Sequence, residues 1–541
     1  MNVGEEVARI LQAEGVEILF CYPTNRLIDE SAKLGIRPIV VRQERTGVHM
    51  ADAYSRLSSG RKVGVFAMQH GPGIENSYGA VAQAFADSVP IMVIPQGYPQ
   101  RLAGIRPNFS AATSMRDITK FAEALSVPGE ASNLMRRAFS EVRNGRGGPV
   151  LVEIPNDMWN AESAPQSTYH PPRSSRFGPD PADVSAAVDL LKSARSPVLY
   201  AGQGVHYSRA WKQLKELAEL MGIPVATTLP GKSSFPEDHP LSLGSGGLTY
   251  PRAVKQYLDQ ADVVIGVGCS FTETVFAVPM PKTPKIIHIT LDPSHLNKDV
   301  RADVGLVGDA GLALDAILAE LRSRGQQQID WAGTAAEIAA VHEEWLAEWM
   351  PYLTDDAAPL SPYRVIWELM KATETIDNII THDAGRPRDQ LTPFWISREP
   401  QSFIGWGKTT QLGYGLGLAM GAKLACPEKL CINVWGDAAI GFTGMDFETA
   451  ARERIPILSI LLNNQGMATE LNNVPNAIER YRATDITGNY ADMAVAFGGY
   501  GERISSPSEI SAAIRRGIAK TREGVPALLE FMTRQETAMS R

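Results

Sequence analysis

Short apolar runs alternate with amphipathic stretches along almost the whole chain, and this alternation limits the possible folds more than any other feature. Examples are KVGVFAM at residues 62–68, VPIMVIP at 89–95 and PVLVEIP at 149–155. Each run has the length of a strand, and the stretch that follows it has helical spacing. Strands that are buried on both faces of a parallel sheet give such continuous apolar runs. We therefore predict an α/β protein built from doubly wound parallel sheets.

Two stretches without periodicity divide the chain into three blocks. The first, from Ser163 to Asp183, is rich in Pro and Ser, and the second is PYLTDDAAPLSP at residues 351–362. A chain of 541 residues has room for three domains of ordinary size. The predicted domains are residues 1–165, 184–350 and 361–536.

The two outer blocks end in similar sequences. GRGGPVLVEIPND occupies residues 145–157, and REGVPALLEFMTR occupies residues 522–534. Both place a buried strand after a turn that contains Gly and Pro. This similarity would follow if the outer domains were related copies on either side of a different middle domain.

Charge and composition argue against several classes of protein. The chain has 52 Lys and Arg against 60 Asp and Glu, a net charge of -8, and no basic stripe, so we expect no nucleic-acid partner. No apolar run reaches the length of about 18 residues that a membrane span needs, and the acidic, amphipathic start does not resemble a leader peptide. We expect a cytoplasmic protein without a membrane partner. The four cysteines show no zinc or redox spacing.

Two predicted strands of the third block each end in a side chain that carries oxygen. Asp437 follows the strand CINVW, and Asn464 follows the strand ILSILL, 27 residues later. This is the length of a β-α-β crossover, so both side chains should emerge at the same carboxyl edge of a parallel sheet. Carboxylate, carboxamide and carbonyl oxygens suit Mg²⁺. The small residues Gly436, Ala438 and Ala439 would let the backbone come close to a phosphate.

The pattern Gly-Asp-Ala followed by Asn-Asn resembles the Gly-Asp-Gly and Asn-Asn signature of the thiamine diphosphate enzymes, with Ala438 in place of the third Gly. The resemblance implies three domains of that family's type: pyrimidine-binding, middle and diphosphate-binding. It also implies thiamine diphosphate and Mg²⁺ as cofactors. Asp437, Asn464 and the carbonyl of Gly466 would hold the metal, and Met467 would belong to the cofactor site.

The first block contains the glutamate that this family requires. In RPIVVRQERTGVHMADAYSRLSSG, Glu44 stands at the end of a strand and before a helix with a small-residue face. The segment resembles the family pattern His-Glu-x-x-Ala-x-x-Met-Ala-x-x-Tyr-Ala. By this resemblance Glu44 is catalytic, because a carboxylic acid bonded to the cofactor's pyrimidine favours the tautomer that removes the reactive proton.

Two segments of the third block resemble further parts of the cofactor site. In TTQLGYG at residues 409–415, Leu412 takes the place of the bulky side chain that wedges the two cofactor rings into a V, and the Thr410 carbonyl would accept from the amino group. The segment His382 to Arg386 follows a strand and resembles the stretch near the diphosphate. It makes Gly385 and Arg386 candidate cofactor-binding residues.

Three other residues are candidates for contact with substrate. Gln69 precedes the turn His70-Gly71-Pro72-Gly73, which is similar to the Gly-Pro-Gly-x-x-Asn turn of the acetohydroxyacid synthases, and we favour Gln69 over His70. Asn25 stands where pyruvate decarboxylase has Asp and benzoylformate decarboxylase has Ser. Glu470 matches the position of an active-site glutamate in pyruvate decarboxylase, but it would equally suit a solvated residue.

The middle block ends in HITLDPSHLNKDVRADVGLVGDA, which resembles the same stretch of the acetohydroxyacid synthases. That domain binds FAD in some relatives and a nucleotide or nothing in others, so FAD is possible. Gly202, Gly204 and Asp292 would suit a nucleotide cleft, although Gly-x-Gly and Asp-Pro are also ordinary turns.

The resemblance implies an acetolactate-synthase-like carboligase or lyase that acts on a small 2-oxo acid or acyloin. A simple non-oxidative 2-oxo acid decarboxylase remains open, because the substrate contacts of the synthases are not reproduced. Two further alternatives are an FAD- or NAD-dependent oxidoreductase and an inactive regulatory protein of the same fold. In the family the first domain of one subunit faces the third domain of its partner, so we expect at least a dimer, and a homotetramer by analogy.

Overall fold

The computed structural model describes residues 1–163, 169–409 and 411–541. The first domain contains a six-stranded, all-parallel sheet with the strand order β2-β1-β3-β4-β6-β5. Its strands are β1 Ile18–Cys21, β2 Arg37–Val40, β3 Gly64–Met68, β4 Ile91–Gly97, β5 Phe121–Ala124 and β6 Val150–Pro155. Its helices are α1 Val3–Ala13, α2 Leu27–Lys33, α3 Glu44–Leu57, α4 Pro72–Ala86, α5 Ala111–Ser114 and α6 Ala131–Arg143.

The middle domain has a second parallel sheet of six strands in the order β12-β11-β10-β7-β8-β9. Its strands are β7 Pro197–Ala201, β8 Val225–Thr228, β9 Ser242–Gly246, β10 Val263–Val267, β11 Lys285–Thr290 and β12 Val304–Val307. The helices of this part of the chain are α7 Pro181–Ser193, α8 Gly204–Ser208, α9 Trp211–Met221, α10 Arg252–Gln260, α11 Ala310–Ser323 and α12 Ala332–Leu353.

The third domain has a third parallel sheet of six strands in the order β14-β13-β15-β16-β18-β17. Its strands are β13 Asn378–His382, β14 Phe403–Ile404, β15 Leu430–Gly436, β16 Leu458–Asn463, β17 Tyr500–Ile504 and β18 Ala527–Met532. Its helices are α13 Pro362–Thr373, α14 Arg386–Leu391, α15 Tyr414–Ala425, α16 Asp437–Thr443, α17 Phe447–Arg452, α18 Pro475–Tyr481, α19 Tyr490–Ala496 and α20 Ile510–Arg522.

The prediction of doubly wound parallel sheets is confirmed in all three domains. When strands are counted from the start of each domain, both outer sheets have the order 2-1-3-4-6-5, whereas the middle sheet has the order 6-5-4-1-2-3. The shared order agrees with the similarity between the sequences that end the outer blocks. In parallel sheets of this kind, ligands bind at the carboxyl edges of the strands.

The first and third domains pack through two helices that lie unusually close. A Cβ atom built on Gly417 of α15 would lie 2.5 Å from the His49 Cβ of α3, and one on Gly421 would lie 2.3 Å from the Met50 carbonyl oxygen. Only glycine fits at such distances. Polar groups reinforce this contact, because the buried Arg56 pairs with Asp52 at 2.8 Å and donates to the Tyr414 hydroxyl at 2.9 Å.

Helix α12 continues through Pro351 to Leu353, past the domain boundary predicted at residue 350. Its aromatic side chains explain the extension. Trp345 and Trp349 pack against Phe394 at ring-centre distances of 5.1 and 5.2 Å, so the end of the helix is held by the third domain. In the part of the chain that the structure describes, no helix is both long and apolar enough to cross a membrane.

Candidate active site

The carboxyl edge of the third sheet brings together the two side chains that the sequence spacing indicates. Asp437 follows β15 as the first residue of α16, and Asn464 follows β16. Both accept a hydrogen bond from one backbone group, the N–H of Gly466, at 3.0 Å to Asp437 Oδ2 and 3.1 Å to Asn464 Oδ1. The carboxylate and the amide oxygen therefore lie within reach of a single small cation.

Asp437 lies in an environment that favours a positive ligand. Its side chain is 3% exposed, and burial raises its pKa to about 6, although the backbone N–H groups of Gly466 and Ala438 partly oppose the shift. Among the described residues no group of three or more His, Cys, Asp or Glu side chains could hold a metal ion. A metal at Asp437 would therefore depend on amide and carbonyl oxygens, which with one carboxylate make the hard donor set that suits Mg²⁺.

A cleft opens beside Asp437 and is lined by small residues. Gly436, Ala438 and Ala439 all face it. A Cβ atom on Gly436 would lie 3.5 Å from Pro387, which is an ordinary contact, so packing within the protein does not require glycine there. The missing side chain instead keeps the cleft open for a ligand that approaches the backbone closely.

An arginine also lines the cleft. Gly385 has φ of 85°, a left-handed conformation that favours glycine, and it lets the chain turn from β13 into α14. Arg386 follows as the first residue of α14 and lines the cleft. Its Nε atom is buried and has no hydrogen-bond partner among the described residues. A buried donor of this kind is suited to an anionic ligand such as a diphosphate.

Leu412 also lines the cleft, and the residues after it are firmly held. The buried Asp383 carboxylate accepts from the N–H groups of Gly413 at 2.9 Å and Gly415 at 2.8 Å. Burial raises the pKa of Asp383 to about 6, while these backbone donors favour the charged form. Thr410, whose carbonyl was expected to contact the cofactor, lies outside the described residues.

Glu44 occupies the carboxyl edge of the first sheet, where it begins α3 after β2. Its side chain is 2% exposed, and Oε2 accepts a 3.0 Å hydrogen bond from Asn76 Nδ2. Asn76 is the fifth residue of α4, which starts after the turn of Gly71, with φ of 60°. The described residues that line the Asp437 cleft fall between Pro362 and Arg534, so Glu44 is not among them.

Three family models match this chain in the order of its domains. They are the thiamine pyrophosphate enzyme N-terminal TPP binding domain at residues 1–120, the central domain at 184–317 and the C-terminal TPP binding domain at 383–531. A probable acetolactate synthase large subunit of Methanocaldococcus jannaschii is 30% identical over 98% of this chain and 92% of its own length. The chain belongs to the thiamine pyrophosphate enzyme family. Thiamine pyrophosphate is another name for thiamine diphosphate.

Other relatives place it in the acetolactate-synthase-like group of this family. The acetolactate synthase isozyme 3 large subunit of Escherichia coli is 28% identical over 96% of this chain and 93% of its own length. An acetolactate synthase of Mycobacterium bovis is 30% identical over 98% of this chain and 87% of its own length. The similarity thus extends through all three domains.

In this thiamine pyrophosphate enzyme, the side chain of Asn25 is held by hydrogen bonds to backbone groups of the first domain. Its amide donates to the carbonyl oxygens of Met68 and Ile94, each at 2.9 Å, and its Oδ1 accepts from the Leu27 N–H at 3.0 Å. The side chain therefore ties the end of β3 and the middle of β4 to the start of α2. With these bonds made, little of the amide is left for a substrate, and its catalytic role stays a prediction.

The other substrate candidates lie on accessible surfaces. Gln69 and His70 follow β3 and are partly exposed, and the His70 ring packs against Tyr98 at 4.3 Å. Burial lowers the pKa of His70, so it is neutral near pH 7. Glu470 and Met467 lie exposed at the mouth of the Asp437 cleft, and Glu470 accepts from Asn473 at 2.7 Å. Their predicted roles remain untested.

Two residues of the site were not assigned from the sequence. Asn76 is the last residue of the Gly-Pro-Gly-x-x-Asn turn, and this motif was the available signal for its contact with Glu44. Asp383 follows β13 directly, at the strand end where ligand-binding side chains gather, but its bonds to Gly413 and Gly415 join segments 30 and 32 residues apart. No local pattern indicates such a contact.

A second cavity, of about 1280 Å³, lies between the middle domain and its neighbours. Gln203, Gly204 and Asp292 line it. The two glycines of the Gly-x-Gly turn also serve packing, because a Cβ atom on Gly202 would lie 2.5 Å from Cys269 Cα and one on Gly204 2.7 Å from Gly268 Cα.

Proposed function

We propose that this chain is a thiamine-diphosphate- and Mg²⁺-dependent carboligase that joins or cleaves the C–C bond next to a carbonyl of a small 2-oxo acid or acyloin. One observation carries the proposal. Asp437 and Asn464, separated by 27 residues in sequence, both bind the N–H of Gly466 beside an open cleft. The relatives named acetolactate synthase support the carboligase rather than another reaction of the family.

Two kinds of group would bind the cofactor's diphosphate: oxygen ligands of a metal ion and the positively charged side chain of Arg386. Asp437, Asn464 and the Gly466 carbonyl would hold Mg²⁺, and Arg386 would supply a positive charge for the diphosphate. Gly385, Gly436, Ala438, Ala439 and Met467 would shape the cleft around this group. The buried Asp437 carboxylate would then gain the positive partner that it lacks within the described part of the chain.

When bound, thiamine diphosphate supplies a nucleophilic carbon for the substrate carbonyl and accepts the electron pair of the broken C–C bond. The protein's part is to position groups around that carbon. Glu44 would hold a proton at the pyrimidine nitrogen, and Asn76 keeps the Glu44 carboxyl in one orientation by its 3.0 Å hydrogen bond. Leu412 would support the folded shape of the cofactor from the floor of the cleft.

We further propose that a complete site needs two copies of the chain. Glu44 is not among the described residues that line the Asp437 cleft of the same chain. Exposed apolar side chains lie near both parts, with Tyr78 and Phe85 on α4 and Phe442 and Met445 at and after α16. Apolar surface of this kind is often covered by a partner subunit. A dimer, or a tetramer made of two dimers, would bring Glu44 of one copy to the cleft of another.

The identity of the substrate would be set at the two domain edges that meet in this dimer. Gln69, His70 and Glu470 offer polar groups there, whereas Asn25 is occupied by backbone contacts. If the site excludes a second carbonyl compound, the acyl fragment would take up a proton instead. The same site would then act as a simple decarboxylase. The two reactions differ in the fate of the acyl fragment, so product analysis separates them.

FAD remains a proposal for the middle-domain cavity. Its volume of about 1280 Å³ is sufficient for a dinucleotide. The test is the absorption spectrum of the purified protein, because a bound flavin gives a yellow colour and is released on denaturation. A colourless protein that takes up no added FAD would remove this cofactor from the proposal.

The proposed function is tested by NMR analysis of products. The protein is mixed with thiamine diphosphate, Mg²⁺ and a panel of 2-oxo acids and acyloins, with and without aldehyde or second 2-oxo acid acceptors. A carboligase gives 2-hydroxy ketones or acetohydroxy acids that depend on the acceptor, whereas a decarboxylase gives only aldehydes. No turnover across the panel, with intact cofactor binding, would contradict an enzymatic function.

A further inference from the structure

Three residues shortly before Leu412, namely Gly407, Thr409 and Gln411, form hydrogen bonds with the first domain. We call these residues together with Leu412 the Leu412 segment. The N–H of Gly407 donates to both carboxylate oxygens of Asp87, at 3.2 Å each. The Thr409 hydroxyl donates to Gln83 Oε1, and Gln411 Oε1 lies 2.9 Å from His49 Nε2. These contacts join positions more than 300 residues apart in sequence, and all of them precede Leu412 directly.

The side chains that make these contacts are shielded from water. Gln83 and Asp87 are each 1% exposed, and they lie one turn apart on and directly after α4. Gln83 Nε2 donates to Asp87 Oδ2 at 3.3 Å, and Arg56 Nη2 lies 3.6 Å from the same oxygen. Both acceptors are therefore oriented before they meet the segment, and water does not compete for them.

The far end of the segment is held within the third domain. Asp383 fixes the N–H groups of Gly413 and Gly415, as described above. Leu412 thus lies between an attachment to the first domain at Gln411 and one to the third domain at Gly413. A side chain with anchored neighbours on both sides has little freedom to leave the cleft that it lines.

We propose that Gln83 and Asp87 are positioning residues for the reaction, because their contacts with Thr409 and Gly407 hold the chain before Leu412 so that Leu412 projects into the cofactor cleft of its own chain. Neither residue lines that cleft. The proposal rests on the proposed function, since it is that function which makes the position of Leu412 matter. Each first domain would then serve two sites, offering Glu44 to the partner's cleft and fixing Leu412 in its own.

The buried charge supports this reading. Burial raises the pKa of Asp87, which shows that its carboxylate is costly to keep ionised there, and Arg56 and the Gly407 N–H offset part of that cost. An apolar residue of similar volume would pack the helix as well, but it would leave the Gly407 N–H without an acceptor. Asp87 therefore specifies where this backbone lies.

The test changes each partner of the hydrogen bond between Thr409 and Gln83 in turn. Thr409→Val removes the hydroxyl that bonds to Gln83 and keeps the volume, Thr409→Ser keeps the hydroxyl, and Gln83→Leu removes the partner. Thr113→Val, on the exposed surface of α5, is the matched control. The full chain is used throughout, and thermal unfolding confirms that each variant is folded.

Hydrogen exchange of the cofactor-free protein is measured first. We expect amides of residues 405–409 and 411–413 to exchange at least about tenfold faster in Thr409→Val and Gln83→Leu, with Thr409→Ser and Thr113→Val unchanged. With cofactor and substrate, kcat should fall about tenfold or more in the same two variants, while KM changes less than about threefold. The near-ultraviolet circular dichroism of the bound cofactor should differ from the wild-type signal in the variants whose kcat falls.

Unchanged exchange in Thr409→Val and Gln83→Leu would overturn the proposal, and so would faster exchange with wild-type kcat. A Thr409→Ser variant that behaves like Thr409→Val would also overturn it, because the hydroxyl would then be irrelevant. Failure of the proposed function looks different: the wild-type protein would show no turnover, while the exchange data would still report whether the contact of Gln83 with Thr409 holds the segment.

Discussion

The carboxamide of Asn76 donates a 3.0 Å hydrogen bond to the carboxylate of Glu44, and so joins the N-terminal part of α4 to the first residue of α3. Both residues follow strands on the same edge of the first sheet. The bond leaves the second Glu44 oxygen for another partner. This geometry suits a carboxyl group that must present one oxygen to a ligand in a fixed direction.

Glu44→Gln should keep cofactor binding and lose turnover by about 100-fold or more, because an amide cannot exchange a proton with the cofactor. Steady-state kinetics and calorimetric titration with thiamine diphosphate measure the two effects. The matched control is Glu75→Gln, a neighbouring exposed glutamate on α4, which should behave like the wild type. Near-normal turnover in Glu44→Gln would remove Glu44 from the mechanism.

Binding of Mg²⁺ with thiamine diphosphate should release a proton at low pH. Burial raises the pKa of Asp437 to about 6 in the metal-free protein, and a cation requires the ionised carboxylate. Metal affinity should therefore fall as the pH falls through 6. Asp437 should contribute about one proton to this release at pH 5 and almost none at pH 8, in addition to any proton that the diphosphate itself loses. Calorimetry in buffers with different ionisation heats gives the number.

Asp437→Asn should lower the release at pH 5 by about one proton, because the titrating carboxyl is gone, and should weaken metal binding by at least about tenfold. Asp485→Asn is the control, because Asp485 lies on the neighbouring loop but pairs with Arg482 on the surface. Equal thiamine diphosphate affinity with and without Mg²⁺ in the wild-type protein would count against Asp437 as a ligand.

Leu412→Ala should lower kcat by about 10- to 100-fold with a smaller effect on cofactor affinity, because it removes the side chain that supports the reactive shape of the cofactor without touching the diphosphate end of the cleft. Leu412→Met keeps most of the volume and should retain most activity. Rapid kinetics with saturating cofactor measures both. An Ala variant that loses affinity but not kcat would place Leu412 in binding only.

Gly421→Ala should destabilise the contact between the first and third domains by about 1 to 3 kcal/mol, since its Cβ would lie 2.3 Å from the Met50 carbonyl oxygen. Gly333→Ala is the control. Gly333 lies on α12 with no atom within 4 Å of its Cβ position, so the substitution should be neutral or slightly stabilising. Urea unfolding compares the midpoints, and equal midpoints would mean that α3 and α15 separate at little cost.

The sheets could be predicted from the sequence because their strands are buried on both faces and so appear as uninterrupted apolar runs. The meeting of Asp437 and Asn464 was also predictable, since parallel strands joined by one helix deliver their ends to one edge. In both cases a local pattern is sufficient to determine the geometry.

Contacts between distant segments could not be predicted in this way. Asn25 has the residue type and position of a catalytic group, but its sequence gives no sign of its hydrogen bonds to the carbonyl oxygens of Met68 and Ile94. Similarly, nothing near Asp87 in the sequence indicates that its partner is the N–H of Gly407. Such contacts depend on how whole domains pack. The short-range periodicity of the sequence does not predict that packing.

The position of Glu44 outside the Asp437 cleft of its own chain has a consequence for mixtures of damaged subunits. In a dimer formed from one Glu44→Gln chain and one Asp437→Asn chain, one site would carry both lesions and the other would carry neither. Random reassortment of the two inactive proteins should then restore about a quarter of wild-type activity. Chains that complete their sites alone would show no such recovery.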